Sequence, residues 1–325
     1  MDELLSIEDL SVEFDTDDGV VHAVEHVGFS ILPGQTVGLV GESGCGKSVT
    51  AMSIPRLVPR PPGRFMSGRI LFNGKDLLAI PVEELRRLRG ESISVIFQEP
   101  MTALSPLHKV RRQLAEMVLL HKSMPKKELD EFCAEWLKRV GIADPALCME
   151  AYPYELSGGM RQRVMIAMAL MLEPQLVIAD EPTTALDVTI QAQILELMRN
   201  LKRRNPQSGL LLITHDMGVI WEMCDYVVVM YAGNVVEAAP VRELFANPRH
   251  PYTKGLMKSI PAIAQKAERL FSIPGTVPSL LNPPPGCRFA PRCPMAQDSC
   301  KKEGATRVAP VAQNGHFCAC PLNES

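Results

Sequence analysis

The residues with the clearest chemistry are Gly41, Glu42, Ser43, Gly44, Cys45, Gly46, Lys47 and Ser48, which fit the phosphate-binding spacing G-x-x-x-x-G-K-[S/T]. The glycines let successive backbone N–H groups turn inward around phosphate oxygens, and a following helix start adds a favourable field. Lys47 can reach β- and γ-phosphates, and Ser48 can place its hydroxyl on Mg²⁺. The bland alternative is a glycine-rich turn. An apolar run over 36–40 predicts a buried strand before the loop, and 49–54 predicts a helix after it. That strand–loop–helix context is the one the motif needs.

Other side chains suit the same chemistry. Asp180 and Glu181 are adjacent carboxylates after the apolar stretch 176–179. Such a pair is a poor choice for a core, because burying charge is costly unless compensated. In a phosphate-loop enzyme the first acid can hold Mg²⁺ and the second can orient or deprotonate an attacking water. Leu156-Ser157-Gly158-Gly159-Met160 precedes a predicted helix. That helix start can receive an anion, or Ser157 can simply cap it. Gln98, after a predicted buried strand, is either surface trim or a functional amide on a hinge. His215 stands with Asp216 at another strand tip, and Asp187 ahead of a long helix suits a cap. Phe14 reads as an edge-strand aromatic or as a platform for a flat base such as adenine, with His22 as the alternative platform.

Five of the nine cysteines, Cys287, Cys293, Cys300, Cys318 and Cys320, fall in the last 39 residues. Their concentration predicts a separate tail with metal-ligand chemistry. Four thiolates suit tetrahedral Zn²⁺ or an iron–sulfur cluster, although the spacing does not match the short C-x₂₋₄-C pairs of zinc knuckles. Unligated thiols in an ordinary small fold are the third reading.

Positioning these groups calls for an α/β core. Residues 4–14 and 20–31 read as strands that form a small antiparallel layer ahead of the phosphate loop. The prolines of 55–62 end the first helix, and 68–74 reads as a strand closed by Asn73-Gly74. A helix over 82–88 and a buried strand over 93–97 follow. From about 106 to 172 the apolar spacing turns helical, as over 110–121, 128–140 and 161–172, and predicts an inserted helical arm. A strand over 176–181, a helix over 188–203, a strand over 210–214 and a hairpin around Gly233-Asn234 complete the core.

Composition narrows the class. The chain has 325 residues, 46% hydrophobic, enough for one large domain or one domain with a smaller companion. With 34 basic and 37 acidic side chains and no basic arm, bulk attraction to nucleic acid is disfavoured. No apolar run approaches the roughly 20 residues of a spanning helix, and the acidic start lacks the basic region of a signal peptide. A cytosolic chain that meets a membrane only through partners is the expectation. One phosphate loop and no internal repeat are present.

Taken together, the phosphate loop, Gln98, Leu156 to Met160, Asp180-Glu181, Ala185-Leu186-Asp187 and His215 resemble the ATP-binding cassette (ABC) ATPases over roughly 4–250. The Leu-Ser-Gly-Gly run is the discriminating motif. The resemblance implies a P-loop NTPase core of α/β class with an antiparallel β subdomain and an inserted helical subdomain (about 100–172) in a nucleotide-binding domain 1–255, then a small cysteine-rich extension over 256–325. It implies ATP contacts from Phe14 and from Gly41 through Ser48 and Val49. Mg²⁺ falls to Ser48, Gln98 and Asp180, and catalysis to Glu181, His215 and Gln98. It further implies a head-to-tail pair in which Ser157, Gly158 and Gly159 face the other subunit's ATP, and it makes Asp187 the D-loop residue. Cys45 stands where Ser is commoner, and Thr184 where many cassettes have Ser; neither change removes a catalytic group.

More narrowly, Gln98-Glu99-Pro100-Met101-Thr102-Ala103-Leu104-Ser105-Pro106, Asp187-Val188-Thr189-Ile190-Gln191-Ala192-Gln193, Asn247-Pro248-Arg249-His250-Pro251-Tyr252-Thr253 and the tail resemble the ATPase subunits of bacterial dipeptide and oligopeptide importers. That likeness implies a second ATPase subunit in a heterodimer, two permease subunits, an extracytoplasmic binding protein and a place on the cytoplasmic face of the inner membrane. It also implies a [4Fe-4S] cluster on Cys287, Cys293, Cys300 and Cys318, with Cys320 as a substitute and zinc as the alternative metal. Peptide import is the expected function, with nickel, glutathione or oligosaccharide as other cargoes. A soluble cassette acting on DNA or ribosomes is the reading of another class, against which stands the lack of paired cassettes or a long coiled coil.

Overall fold

The computed structural model describes residues 3–183, 187–259, 272–306, 308–309 and 315–322. Two compact units make up the chain, Met1–Ile80 with Ile213–Ser325, and Pro81–Leu212. The first begins with β1 (Leu5–Thr16), β2 (Gly19–Ile31), β3 (Thr36–Val40), α1 (Lys47–Ser53), β4 (Gly63–Phe72) and β5 (Lys75–Asp76). The second holds α2 (Val82–Leu88), β6 (Ile93–Ile96), α3 (Pro100–Ala103), α4 (Val110–Leu119), α5 (Lys126–Arg139), α6 (Pro145–Glu150), α7 (Gly158–Leu170), β7 (Leu176–Asp180), α8 (Val188–Arg204) and β8 (Gly209–Ile213). The first then resumes with α9 (Met217–Met223), β9 (Tyr226–Tyr231), β10 (Asn234–Pro240), α10 (Val241–Ala246), α11 (Pro251–Lys258) and β11 (Phe317–Cys318).

In the first unit an antiparallel sheet runs β2-β1-β4-β5. Its central strand alternates enough to bury Leu5, Ile7, Leu10 and Val12 completely. The β1–β2 turn is tighter than the sequence predicts, because the Thr16 hydroxyl donates to the Gly19 carbonyl at 2.7 Å and closes the hairpin. The fourth strand starts at Gly63, earlier than expected, since pairing with β1 continues to Phe14↔Gly63. A second set of strands runs β11-β10-β9-β3. Here β3 and β9 are parallel, β9 and β10 antiparallel, so the set is mixed. All five residues of β3 are buried, as expected for a parallel strand covered on both faces.

The second unit has β8-β7-β6 in neighbouring order, with β6 and β7 parallel. Five helices, α3 to α7, occupy the stretch read as a helical arm. Helix α5 buries Leu129, Cys133, Trp136 and Leu137, one stripe at helical spacing, with Glu128 in its first turn and Lys138 and Arg139 in its last. Helix α7 buries Gln162, Val164, Met165, Ile166, Ala167, Ala169 and Leu170, more than one stripe, and so is a core helix.

Candidate functional site

The phosphate loop leaves β3 and enters α1 as expected. Two of its glycines are demanded by contact. A Cβ on Gly41 would stand 2.2 Å from the Met230 carbonyl oxygen, and one on Gly46 would stand 2.5 Å from that of Ala23. Gly46 also has φ 101°, a left-handed setting that only glycine adopts freely. It forces α1 to begin at Lys47, two residues earlier than the hydrophobic pattern predicts.

Lys47 is buried at 7% exposure, and its Nζ donates to the carbonyls of Gly41 (2.8 Å) and Glu42 (2.9 Å). An ammonium held by neutral carbonyls in a glycine-lined loop is poised for an anion, since charge-assisted bonds to phosphate oxygens are the stronger ones. The Cys45 sulfur lies 3.7 Å from that nitrogen. Burial raises the thiol's pKa, with Lys47 pulling the other way. Ser43, Gly44 and Ser48 are exposed, and Val49 is half-buried. Phe14 is a half-buried β1 residue whose ring sits against Gly63. His22 is engaged by Glu13 at 2.9 Å.

His215 is exposed on the turn between β8 and α9. Its neighbours fix that turn. Thr214 Oγ1 accepts the Asp216 N–H at 3.0 Å, and Asp216 Oδ1 caps α9 through the N–H groups of Gly218 and Val219.

In the second unit β7 delivers Asp180, buried at 4% exposure, and then Glu181. Glu181 has φ 46°, an uncommon left-handed backbone for a side chain of this size. The Gln98 amide donates to Glu181 Oε2 at 3.2 Å, so two residues 83 positions apart are brought together. Gln162, fully buried on α7, donates to the Pro182 carbonyl at 2.7 Å and so pins the turn that carries Glu181. No periodicity marked Gln162, because an amide on a buried helix face reads as an ordinary interruption.

The start of α7 is an exposed helix end. Ser157 Oγ accepts the Met160 N–H at 3.3 Å, so the capping role is real. Among the described residues a Cβ on Gly158 would meet nothing within 4 Å. Packing among those residues gives no reason for glycine there, whereas close approach by an outside group would. Ser157, Gly159 and Asp187 line one open cleft of about 940 Å³. Asp187 Oδ1 accepts the Ile190 N–H at 3.0 Å and caps α8. Thr184, Ala185 and Leu186 lie outside the described residues.

The tail corrects one expectation. Among the described residues no group of three or more His, Cys, Asp or Glu side chains is arranged to hold a metal ion. The [4Fe-4S] cluster on Cys287, Cys293, Cys300 and Cys318, the Cys320 substitution and the zinc alternative therefore do not stand. None of the cysteines forms a disulfide. The ligand form is the thiolate, and burial pushes the Cys287 thiol up to about 11 and raises that of Cys293. Cys287, Cys300, Cys318 and Cys320 pack as small buried side chains. Backbone pairing places them: the Cys287 N–H donates to the Cys300 carbonyl at 2.8 Å, and Cys318 pairs with Glu237 across β10–β11.

Comparison with known proteins agrees with this geometry. Residues 24–184 match the ABC transporter family, and residues 236–300 match the oligopeptide/dipeptide transporter C-terminal region. A probable peptide ABC transporter ATP-binding protein of Sinorhizobium fredii is 50% identical, covering 98% of this chain and 95% of its own. The dipeptide transport ATP-binding protein DppD of Bacillus subtilis is 50% identical over 100% of this chain and 96% of its own. Among solved structures, the dimeric ATP-binding cassette MJ0796 bound to ADP and Pi superposes with TM-score 0.66 at 24% identity, covering 73% of this chain and 99% of that one. The cbiO1 subunit from Clostridium perfringens, part of the cbiONQ transporter complex, superposes with TM-score 0.61 at 28% identity, over 76% and 92% of the two chains.

Proposed function

The chain belongs to the ATP-binding subunits of ABC transporters, in their oligopeptide/dipeptide group, and from that premise we propose that it hydrolyses ATP to drive uptake of di- and oligopeptides across the cytoplasmic membrane. The observation that carries this reading is the buried Lys47 ammonium held on the Gly41 and Glu42 carbonyls. On arrival of ATP it exchanges those carbonyls for β- and γ-phosphate oxygens, while the N–H groups of the loop through Ser48 and Val49 cradle the chain of phosphates. Phe14 stacks on the base.

The hydroxyl of Ser48, the amide oxygen of Gln98 and the Asp180 carboxylate are hard oxygen donors, the type Mg²⁺ prefers. Mg²⁺ held by them would neutralise charge on the β- and γ-phosphates. Glu181, oriented by Gln98, aligns and deprotonates the attacking water, and His215 donates to the γ-phosphate. Ser157, Gly158 and Gly159 present an open helix start to the ATP of a second ATPase subunit, with Asp187 beside them. A heterodimer of such subunits, two permease subunits and an extracytoplasmic binding protein complete the proposed assembly.

In this reading residues 1–255 form the nucleotide-binding domain and 256–325 an extension of it. Among the described residues no helix is long and apolar enough to cross a membrane. The relatives are transport ATP-binding proteins, and their likeness supports a place on the cytoplasmic face of the inner membrane, held through the proposed permeases. Uptake of labelled di- and oligopeptides by cells carrying Lys47→Ala tests the proposal, with labelled nickel in parallel. Loss of peptide uptake alone supports it. Loss of nickel uptake alone moves the protein to metal import.

A further inference from the structure

Arg292 lies in the tail, 250 residues beyond the phosphate loop, yet its guanidinium grips the loop residue Glu42. Nη1 donates to Oε2 at 2.6 Å and Nη2 to Oε1 at 3.1 Å. The remaining donors are used as well: Nε reaches the Pro274 carbonyl (2.9 Å), Nη2 the Ile273 carbonyl (3.1 Å) and Nη1 the Tyr231 hydroxyl (3.2 Å). All five N–H groups of the planar fork thus have partners, and the side chain is 5% exposed.

Glu42 is also held at its backbone. Its N–H donates to the Tyr252 hydroxyl at 2.9 Å, and its carbonyl is one of the two that hold Lys47. Tyr231, Tyr252 and Phe289 pack on one another with ring centroids 4.6 to 5.4 Å apart, which steadies both tyrosine hydroxyls. The loop is therefore fastened by β9, by α11 and by the tail.

A carboxylate in a loop built for a triphosphate is electrostatically adverse, because like charges at short range disfavour binding. A guanidinium with fixed fork geometry can cancel that charge and set its position together, which a lysine cannot do in the same way. We infer that Arg292 is a positioning residue of the nucleotide site: it neutralises Glu42 and fixes the 41–42 backbone that presents Lys47, so the tail tunes ATP affinity. The inference rests on the ATP reading above.

The test uses the full-length protein, with ATP binding at equilibrium and steady-state ATP turnover. Arg292→Ala should weaken ATP binding about tenfold, the scale of a lost charge-assisted hydrogen bond, with kcat at saturating ATP within about twofold of the parent. Arg292→Ala combined with Glu42→Gln should recover most of the loss, since no uncompensated charge remains. Arg292→Lys should fall between. If Arg292→Ala loses its cooperative melt, Arg292→Gln alone and with Glu42→Gln carries the same comparison. Unchanged affinity in Arg292→Ala, or a double variant as weak as the single, overturns the inference. A parent that binds no ATP overturns the nucleotide reading itself, whereas a binding parent with an indifferent Arg292 variant overturns only this one.

Discussion

Substituting Gln162 by Met tests how the carboxylate of Glu181 is held. The side chain is fully buried, and its amide donates to the Pro182 carbonyl at 2.7 Å. Methionine keeps the length and bulk but removes the donor. Leaving a buried carbonyl unsatisfied costs about 1–3 kcal/mol. Part of this is offset, because Gln162 Oε1 is itself buried with no hydrogen-bond partner among the described residues, and methionine removes that atom. A net cost near 1–2 kcal/mol is therefore expected. The left-handed backbone of Glu181, φ 46°, costs roughly 1–2 kcal/mol and persists only while its surroundings enforce it. The two magnitudes match, so loss of the bond should let the turn relax and draw the carboxylate away from Gln98. We expect kcat for ATP hydrolysis to fall about 5- to 30-fold, the equivalent of 1–2 kcal/mol, while KM for ATP changes less than about twofold. Steady-state turnover and a thermal melt of the purified protein read this out. A kcat within twofold of the parent, together with a lowered melting temperature, would refute the reasoning, for it would show the bond stabilises the fold without placing Glu181.

Glu181→Gln should keep ATP binding and lower turnover at least 100-fold, the lower end of what a general base supplies; binding by equilibrium dialysis and phosphate release report the two. Lys47→Ala should abolish detectable ATP binding while leaving the melt cooperative. Burial lowers the pKa of His250 from 6.5 to about 3, with Lys254 adding to the shift, and its Nδ1 accepts the Tyr252 N–H. A base whose folded pKa lies below its unfolded one takes up its proton on unfolding, so stability should be full above about pH 6.5 and decline towards pH 3, at up to about 1.4 kcal/mol per pH unit. Denaturant titrations of His250→Asn, which retains a capping acceptor, should show a flatter slope over that window. Burial pushes the thiols of Cys133 and Cys148 up to about 11, so both should resist iodoacetamide at pH 8 in the folded protein and react once denaturant is added.

What the sequence determined by itself is what depends on residue type and short spacing. The eight-residue phosphate loop, the acid pair at the end of β7, the glycine-rich start of α7 and the strands around them follow from local rules about glycine, apolar runs and helix starts. The stripe of α5 and the buried run of β3 were legible for the same reason. Element ends were less so: α1 begins at Lys47 because Gly46 is left-handed, and β4 begins at Gly63 because β1 pairs with it there. The cysteine tail misled, since spacing counts thiols but does not say whether their side chains converge, and among the described residues they form no metal-holding group. Only tertiary structure decided the partnerships that set the site: Gln98 with Glu181, Gln162 with Pro182, and Arg292 with Glu42. Each joins groups 20 or more positions apart in the chain, side chain to side chain or side chain to backbone carbonyl. No local preference encodes such a bond, because it exists only after strands and helices have packed and brought both partners within reach.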